Sequence, residues 1–160
     1  MTNKEQVGMR GFIKIDHFDK NGNLIETVET PNVVTNVGFT EVAGRITSDV
    51  AGSYTAFDYI AVGTGVTAAT YTDTTLATEV TLLGLARATT TGTLVTTNVA
   101  NDTAQFVKQF SVTGTCAVTE SGVFNAASVG TMLCRQTFSA INVVNGDTLQ
   151  ITWKVTVSRP

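Results

Sequence analysis

The clearest hydrophobic pattern in the chain lies near its C-terminal end. Apolar residues occupy every second position there, and polar residues stand between them: Leu149, Ile151, Trp153, Val155 and Val157 alternate with Gln150, Thr152, Lys154, Thr156 and Ser158. This period of two predicts an antiparallel strand with one buried and one solvated face. The preceding VVNGD segment predicts a turn through Asn145 and Gly146.

The N-terminal part predicts a β-hairpin. The apolar-rich segments 11–18 and 24–30 flank DKNGN, and Asn-Gly favours a type I′ turn, in which both central residues have positive φ. A turn at Asn21 and Gly22 sets Lys20 opposite Asn23. The same register then sets Lys14 opposite Glu29 and Ile15 opposite Val28. This register pairs opposite charges and pairs apolar side chains, which supports the hairpin.

The same turn also carries a pattern that could bind calcium. Asp19, Asn21 and Asn23 fit the first three ligand spacings of an EF-hand loop. However, Gly22 stands at the fourth loop position instead of the sixth, and Thr30 replaces the bidentate Glu at the twelfth. The sequence therefore favours a hairpin turn over a metal loop.

One helix is predicted after Pro31. Its apolar residues recur at spacings of three and four: Phe39, Val42, Ala43, Ile46 and Val50. Thr35 or Asn36 can cap its first turn, while Gly38 and Gly44 weaken it. We expect this helix to pack its apolar stripe against a sheet.

The remaining segments are mostly β-like. FDYIAVGTG (57–65) predicts a strand that ends in a glycine turn, because the lone Gly63-Thr64-Gly65 lacks the further glycine or lysine of a phosphate loop. Residues 68–81 predict a surface loop anchored by Leu76 and Val80. Segments 85–97 and 104–114 predict further strands, the former as one strand or a short hairpin.

A second hairpin is predicted within ESGVFNAASVGTMLCRQTF (120–138). A turn near Ser128 sets Phe124 opposite Met132 and Gly122 opposite Cys134. About eight strands and one helix then result, with turns at the spacing of a sandwich or barrel. We predict a mainly β fold, an antiparallel jelly-roll-like β-sandwich with one short helix, comprising an N-terminal arm (1–8) and a single domain (9–160). The expected core is Ile13, Ile15, Val28, Phe39, Ile60, Val62, Phe106, Phe110, Phe124, Leu133, Phe138, Leu149, Ile151 and Trp153.

Composition narrows the possible partners. Only 14% of the residues are charged, against roughly 25% in an average soluble domain, and Thr supplies much of the polar surface. The net charge is -3 and no basic run occurs, so we expect no nucleic-acid binding. No segment has about 20 successive apolar residues, and no signal peptide precedes the first strand, so we predict no membrane association.

Candidate chemistry is sparse. Cys116 and Cys134 are the only cysteines, and we expect free thiols, with a disulfide as the alternative. His17 is the only histidine, so neither Ser121 nor Cys134 has an assignable base and no tetrahedral metal site can be completed. We therefore predict no enzyme, no catalytic, metal-binding or cofactor-binding residues and no cofactor.

Two other functions require particular side chains. Paired carboxylates for glycoside cleavage could come from Asp58, Asp73, Glu79 and Glu120, although their spacing does not place two of them across a cleft. A carbohydrate-binding β-sandwich module would need exposed aromatic rings. The aromatic residues near predicted loops are Tyr54, Phe57, Tyr59 and Tyr71.

Three stretches, in this order, resemble small virion structural proteins of tailed bacteriophages, a class that includes decoration, head and tail proteins. The first is the N-terminal hairpin followed by PNVVTNVGFTEVAGRI (Pro31 to Ile46). The second is FDYIAVGTGVTAATYTDTTLATEV (Phe57 to Val80), and the third is TESGVFNAASVGTMLCRQTFSAINVVNGDTLQITWKVTVS (Thr119 to Ser158). Together they cover most of the chain. The resemblance implies a virion location, assembly in the host cytoplasm and no catalytic residues.

Within that class, a capsid decoration (cement) protein that binds the major capsid protein is the expectation. A single compact module suits a lattice, and the chain lacks the coiled-coil or repeat segments of long fibres. By family analogy the resemblance implies a homotrimer. A tail tube protein or receptor-binding tip is the alternative, and the N-terminal arm is a candidate for contact with a neighbouring subunit.

Overall fold

The computed structural model describes residues 6–46 and 54–158. This part of the chain is mainly β, with ten strands and one helix. The elements are β1 (Gly8–Phe18), β2 (Leu24–Pro31), β3 (Val33–Val34), α1 (Asn36–Gly44), β4 (Tyr59–Gly63), β5 (Ala88–Thr89), β6 (Thr91–Val95), β7 (Thr103–Ser111), β8 (Cys116–Phe124), β9 (Met132–Val143) and β10 (Thr148–Ser158).

The strands form two antiparallel sheets of five strands each. The first sheet has the order β2-β1-β10-β7-β6, and the second sheet has the order β3-β9-β8-β4-β5. The chain passes from one sheet to the other between β2 and β3, β5 and β6, β7 and β8, and β9 and β10. The first and last strands, β1 and β10, pair along their whole length at the centre of the first sheet.

The two sheets enclose one hydrophobic core. Ile13, Ile15, Ile151 and Trp153 of the first sheet share a buried cluster with residues of the second sheet, and Trp153 Nε1 donates to Ser121 Oγ across it at 3.2 Å. Burial of each such side chain contributes about 1.5–3 kcal/mol to folding. The predicted core residues confirmed as buried are Ile13, Ile15, Ile60, Val62, Phe106, Phe110, Phe124, Leu133, Leu149, Ile151 and Trp153.

The alternation in β10 is confirmed except at its end. Leu149, Ile151, Trp153 and Val155 are buried, but Val157 is 48% exposed. Its N–H donates to the Asp102 carbonyl, which lies beyond the last residue of β6 and before β7. β10 therefore extends beyond the core. The alternation of apolar and polar residues cannot show where the second sheet stops covering it.

The first hairpin has the predicted register but a different turn. Lys14 faces Glu29 and Ile15 faces Val28, as predicted. Of the Asn-Gly pair only Gly22 has a positive φ (83°), so the type I′ turn is wrong. The Gly22 N–H donates to the Asp19 carbonyl, and the Asp19 N–H donates to the Asn23 carbonyl.

A bulge restores the hairpin register after this turn. Asp19, not Lys20, is bonded to Asn23, which shifts the pairing by one residue, and Phe18 then faces Leu24. Between Phe18 and His17 the register shifts back, so that His17 faces Glu26. The additional residue in β2 compensates for the longer turn, and the rest of the hairpin is unaffected.

The helix is where the pattern predicts it, but its buried face is different. Thr35 is the N-cap, and its Oγ1 accepts from the Gly38 N–H at 3.0 Å. Gly38 and Glu41 are the buried helix residues, whereas Phe39 is 45% and Ile46 84% exposed. Of the predicted apolar stripe only Val42 packs against the core within the described residues, so the rest of the stripe is wrong. The predicted stripe residue Val50 lies outside the described residues.

The physical reason is the close approach of α1 to β9. A Cβ at Gly38 would lie 2.4 Å from the Leu133 carbonyl oxygen, so this side of the helix must be small. The buried Glu41 carboxylate accepts from the Thr55 N–H at 2.9 Å. Contact with the second sheet thus turns Phe39 outward.

Two other residues of the predicted core, Val28 and Phe138, are only half-buried, although both pack against the core.

Two further local predictions need correction. Segment 85–97 is neither one strand nor a hairpin, because β5 lies in the second sheet and β6 in the first. In the second hairpin Phe124 faces Met132 as predicted, but Gly122 faces Arg135 rather than Cys134. A register shift between Val123 and Phe124 causes this difference.

Candidate functional site

Arg135 forms the most highly connected charged centre of the second sheet. Its Nε and Nη2 donate to Glu120 Oε2 at 2.9 and 2.7 Å, and its Nη1 donates to Asp73 Oδ2 at 2.7 Å. Nη2 also donates to the Thr67 carbonyl at 2.9 Å. Arg135 is 2% and Glu120 0% exposed, so this is an ion pair within the protein interior.

Glu120 also organises the loop that follows β4. Its carboxylate accepts from the backbone N–H groups of Gly65, Ala77 and Thr78 at 3.0, 3.0 and 2.7 Å. A Cβ at Gly63 or Gly65 would lie 2.5 or 2.4 Å from Glu120 Oε1. The two glycines therefore make room for a carboxylate of the same chain, and this explains the motif without a phosphate ligand.

The pKa values in this centre follow from the same contacts. Burial alone raises the pKa of Glu120, but the hydrogen bonds from the Thr78 N–H and Arg135 outweigh it and hold the pKa below 4.5. Burial likewise opposes ionisation of Asp73, whose pKa is nevertheless lowered by the Thr70 N–H and by Arg135. The pKa of Arg135 is raised, since its carboxylate partners outweigh burial. All three groups are charged at neutral pH.

A second arginine holds the other end of the loop. Arg87 Nε and Nη2 donate to the two carboxylate oxygens of Glu79 at 2.9 and 2.6 Å. Its Nη1 donates to the carbonyls of Ala126 and Val129, and its guanidinium lies 3.6 Å from the centre of the Phe124 ring. Leu76 packs beneath the loop with residues of the second sheet, which confirms it as an anchor.

Three of the four carboxylates considered for glycoside chemistry are paired with arginines, and two of the three share one arginine. Asp73 and Glu120 bind Arg135, and Glu79 binds Arg87. The Asp58 backbone forms hydrogen bonds with Phe124 and Thr90. A carboxylate held by a guanidinium has its oxygens occupied. These pairs serve to fasten the loop to the second sheet.

The side chains considered as nucleophile and base do not meet. Ser121 Oγ donates to the Ala61 carbonyl at 2.8 Å and accepts from Trp153. His17 Nε2 lies 2.9 Å from Asp147 Oδ2, and its Nδ1 lies 3.3 Å from Glu26 Oε1. Each side chain is thus committed to partners in its own sheet or core, and the absence of enzymatic activity stays a prediction.

The cysteines are free thiols, as predicted. Cys134 is fully buried, and burial raises the pKa of its thiol; burial also raises the pKa of the half-buried Cys116. Raised pKa values keep both groups protonated at neutral pH. The alternative of a disulfide between them is wrong.

The DKNGN turn satisfies its own carboxylate. Asp19 accepts from the backbone N–H groups of Asn21 and Asn23 at 2.8 and 2.9 Å and from the Asn23 amide. The Asn23 side-chain hydrogen bond is the largest of the contacts that lower the pKa of Asp19. Within residues 6–46 and 54–158, no three His, Cys, Asp or Glu side chains converge in a way that could hold a metal ion.

The four loop aromatics do not form an exposed platform. Phe57 is buried, Tyr54 and Tyr59 are half-buried, and Tyr71 is 64% exposed. The Tyr54 ring lies against Gly44, where a Cβ would approach it to 2.2 Å. Of these four rings, Tyr71 alone is exposed enough to stack on a sugar, where several would be expected.

A broad open surface is formed by the outer face of the first sheet, the side turned away from the core. Two rows of side chains cross its five strands, each exposed or half-buried: Glu29, Lys14, Thr152, Val107, Thr91 and Pro31, Phe12, Lys154, Gln105, Thr93. Lys14 pairs with Asp16 at 3.0 Å, and Lys154 Nζ lies 5.6 Å from the Phe12 ring centre. Seven of these ten side chains are uncharged, and the two lysines have partners within the sheet.

Sequence reasoning found the carboxylates but missed both arginines as their partners. Arg87 and Glu79 are near in sequence, but Arg135 is far from Asp73. The sequence did contain one signal, the close spacing of Gly63 and Gly65. Two glycines so near each other indicate that another group approaches the backbone too closely for a Cβ, and in the structure this group is Glu120.

Comparison of the chain with known protein families, with curated proteins and with solved structures finds no match. No helix within residues 6–46 and 54–158 has the length and apolar character needed to cross a membrane.

Proposed function

We propose that the protein is a structural component of a tailed-bacteriophage virion, specifically a capsid decoration protein that binds the shell of major capsid protein. The outer face of the first sheet is the observation that carries this proposal. It extends over five strands, and seven of the ten side chains in its two rows are uncharged. Such a face suits a broad protein contact better than a small-molecule site.

Desolvation explains the preference. A protein interface that covers a charged surface must remove water from ions, whereas neutral Thr and Gln side chains lose less solvation energy on burial. Phe12 and Val107 are 37% and 39% exposed and supply apolar contact area within the polar face.

The binding experiment compares two valine substitutions. Val107→Glu introduces a charge in the middle of the outer face, and we expect it to abolish co-sedimentation with capsids that lack the native protein. Val129→Glu is the control, because Val129 is 86% exposed in the β8–β9 turn of the other sheet. Equal binding by both variants and the native chain would contradict the choice of this face.

Copy number tests the place in the particle. Quantitative mass spectrometry of purified virions should find the chain in amounts comparable to the major capsid protein. Recovery with isolated tails at a few copies per particle would instead support the alternative, a tail tube or receptor-binding tip protein. Absence from the particles would reject the proposal.

The remaining expectations belong to this proposal. The partners are the major capsid protein or other virion proteins and further copies of the chain, and assembly takes place in the host cytoplasm. The homotrimer implied by the resemblance stays a prediction, which a measurement of the mass of the purified chain in solution also tests. A carbohydrate-binding module, supported only by Tyr71 among the loop aromatics, is tested by a glycan array with purified protein.

We also propose that the two sheets form a jelly-roll-like sandwich. The pairing of the first and last strands and the repeated passage of the chain between sheets support this description. The hairpins β1–β2, β6–β7 and β8–β9, each within one sheet, are departures from a strict jelly roll. An experimental structure with the same strand order would fix the connectivity.

A further inference from the structure

The four edge strands of the two sheets are protected to very different degrees. An edge strand exposes unpaired backbone N–H and C=O groups that can pair with another chain, and proteins block this with short strands, charges, prolines or bulges. β3 and β5 have two residues each. β2 carries Glu26 and Glu29, has a register shift near its start and ends at Pro31.

The remaining edge strand, β6, has none of these features. Its sequence is TGTLV, and no charged residue occurs between Arg87 and Asp102. Four of its five residues are exposed, and Leu94 is 65% exposed although it belongs to the side of the sheet that faces the core. No segment in the described part of the chain pairs with its outer side.

A second copy of β6 satisfies the requirements of this edge. In a two-fold symmetric pair each residue meets the same strand of the other copy, so any charge at the centre would face a like charge. The uncharged strand avoids this conflict. Antiparallel pairing about a two-fold axis at Thr93 sets Thr93 beside Thr93 of the second copy, which is a favourable cross-strand combination.

The same register matches large with small side chains. Leu94 comes to lie opposite Gly92 of the second copy, and Gly92 opposite its Leu94. Gly92 lies over the buried Phe106 ring, where a Cβ would approach Cε1 to 3.3 Å, and it leaves space beside the edge for a large neighbour. Leu94 of the second copy can occupy that space, so the pairing removes the exposed Leu94 side chain of each copy from water.

We propose that the protein forms a two-fold symmetric dimer in which β6 pairs antiparallel with β6 of a second copy about Thr93. The pairing continues the first sheet across both molecules. It leaves the outer face of that sheet uncovered and is independent of the proposed binding to a capsid. It differs from the homotrimer that the resemblance implies, and the mass in solution decides between the two.

The first test measures mass in solution with the purified full chain. Light scattering after size-exclusion chromatography should give twice 16.9 kDa. Thr93→Lys places two ammonium groups together on the axis and should weaken self-association at least about tenfold, so that the mass falls to one chain on dilution. Ile25→Lys introduces the same charge on the opposite edge strand, where 55% of the side chain is exposed, and should leave the dimer intact.

The second test locates the axis. In a Cys116→Ser background, Thr93→Cys should form an intermolecular disulfide under mild oxidation, because residues directly opposite in adjacent strands have Cβ atoms close enough for one. Ile25→Cys in the same background should remain uncrosslinked. Circular dichroism and thermal unfolding establish that each variant is folded.

The possible outcomes are distinct. A dimer that Thr93→Lys dissociates and Thr93→Cys crosslinks supports the proposal. A monomer at all concentrations, a trimer, or a dimer that survives Thr93→Lys would overturn it. None of these results depends on whether the chain binds capsids.

Discussion

Arg135 connects several parts of the second sheet and its loop through a single side chain. It joins Glu120 of β8 to Asp73 and Thr67 of the loop that follows β4. Arg135 and Glu120 are buried together, so each charge depends on its few partners in the interior, and the other residue is one of them. The pair is therefore sensitive to loss of one partner.

Arg135→Met is expected to lower the free energy of unfolding by about 3–5 kcal/mol, because Glu120 keeps its charge in the interior without a counter-ion. Urea unfolding followed by fluorescence of Trp153 measures this change. Arg10→Met, at an exposed position, is the control and should change the free energy of unfolding by no more than about 0.5 kcal/mol.

The double variant separates charge from packing. Adding Glu120→Gln to Arg135→Met removes the unpaired charge and should recover part of the lost stability. If Arg135→Met costs no more than Arg10→Met, the buried pair does not fasten the loop to the sheet. If the double variant is as destabilised as the sum of the single variants, the two residues act independently.

Single residues also show where prediction from sequence ends. Glu120 and Asp73 could be identified from the sequence as candidate carboxylates. Their pairing with Arg135 could not, and Asp73 in particular is far from Arg135 along the chain. Periodicity identifies buried faces, whereas long-range ion pairs leave no periodic signal. The fully buried pair could therefore be found only from the fold.

At the scale of elements, strands were more predictable than helix faces or turns. β10 and the Lys14–Glu29 register follow from alternation, which the pleated strand imposes directly. The turn before β2 was predicted incorrectly, because a different turn type combined with a bulge gives the same register in the rest of the hairpin. The exposed Phe39 shows that contact of α1 with β9 at Gly38 overrides the apolar stripe.

The junction between β4 and its loop gives a test at this scale. Gly63 is the last residue of β4, and a Cβ there would lie 2.4 Å from the Thr78 carbonyl oxygen as well as close to Glu120. Gly63→Ala is therefore expected to destabilise the protein by about 1–3 kcal/mol, since the strand end and loop must separate.

Gly8→Ala is the matched control for this substitution. Gly8 is the first residue of β1, and a Cβ there would have no atom within 4 Å. Thermal unfolding of both variants should show a lower midpoint for Gly63→Ala only. Equal midpoints would mean that the loop can move away from β4 at little cost.

At the scale of the whole molecule, several carboxylates share one property. The pKa values of Asp73, Glu120 and Asp147 are lowered in the folded protein despite burial, by hydrogen bonds from backbone groups, Arg135 or His17. The Val99 N–H is the largest cause of the lowered pKa of Asp102. Glu120 lies in β8, and the other three lie in the loop after β4 and in the turns before β7 and before β10, so their titration affects several parts of the fold.

The direction of the pH dependence follows from these shifts. In the unfolded chain these groups have ordinary pKa values of 4.5 for Glu and 3.8 for Asp, above their values in the folded protein. As the pH falls through this range, the unfolded chain takes up protons first, and the free energy of unfolding decreases. Stability should therefore be nearly constant at higher pH and fall steadily as acid is added below about pH 4.5, until the folded carboxylates are also protonated.

Glu120→Gln makes this prediction specific. The native chain should exceed the variant in stability near neutral pH, and the difference should narrow as the pH falls below 4.5, because the charge that distinguishes them is lost. Urea midpoints across this range measure the difference, with Glu29→Gln at an exposed position of β2 as the control. A difference that stays constant with pH would show that Glu120 stabilises the fold through packing and hydrogen bonding, with no contribution from its charge.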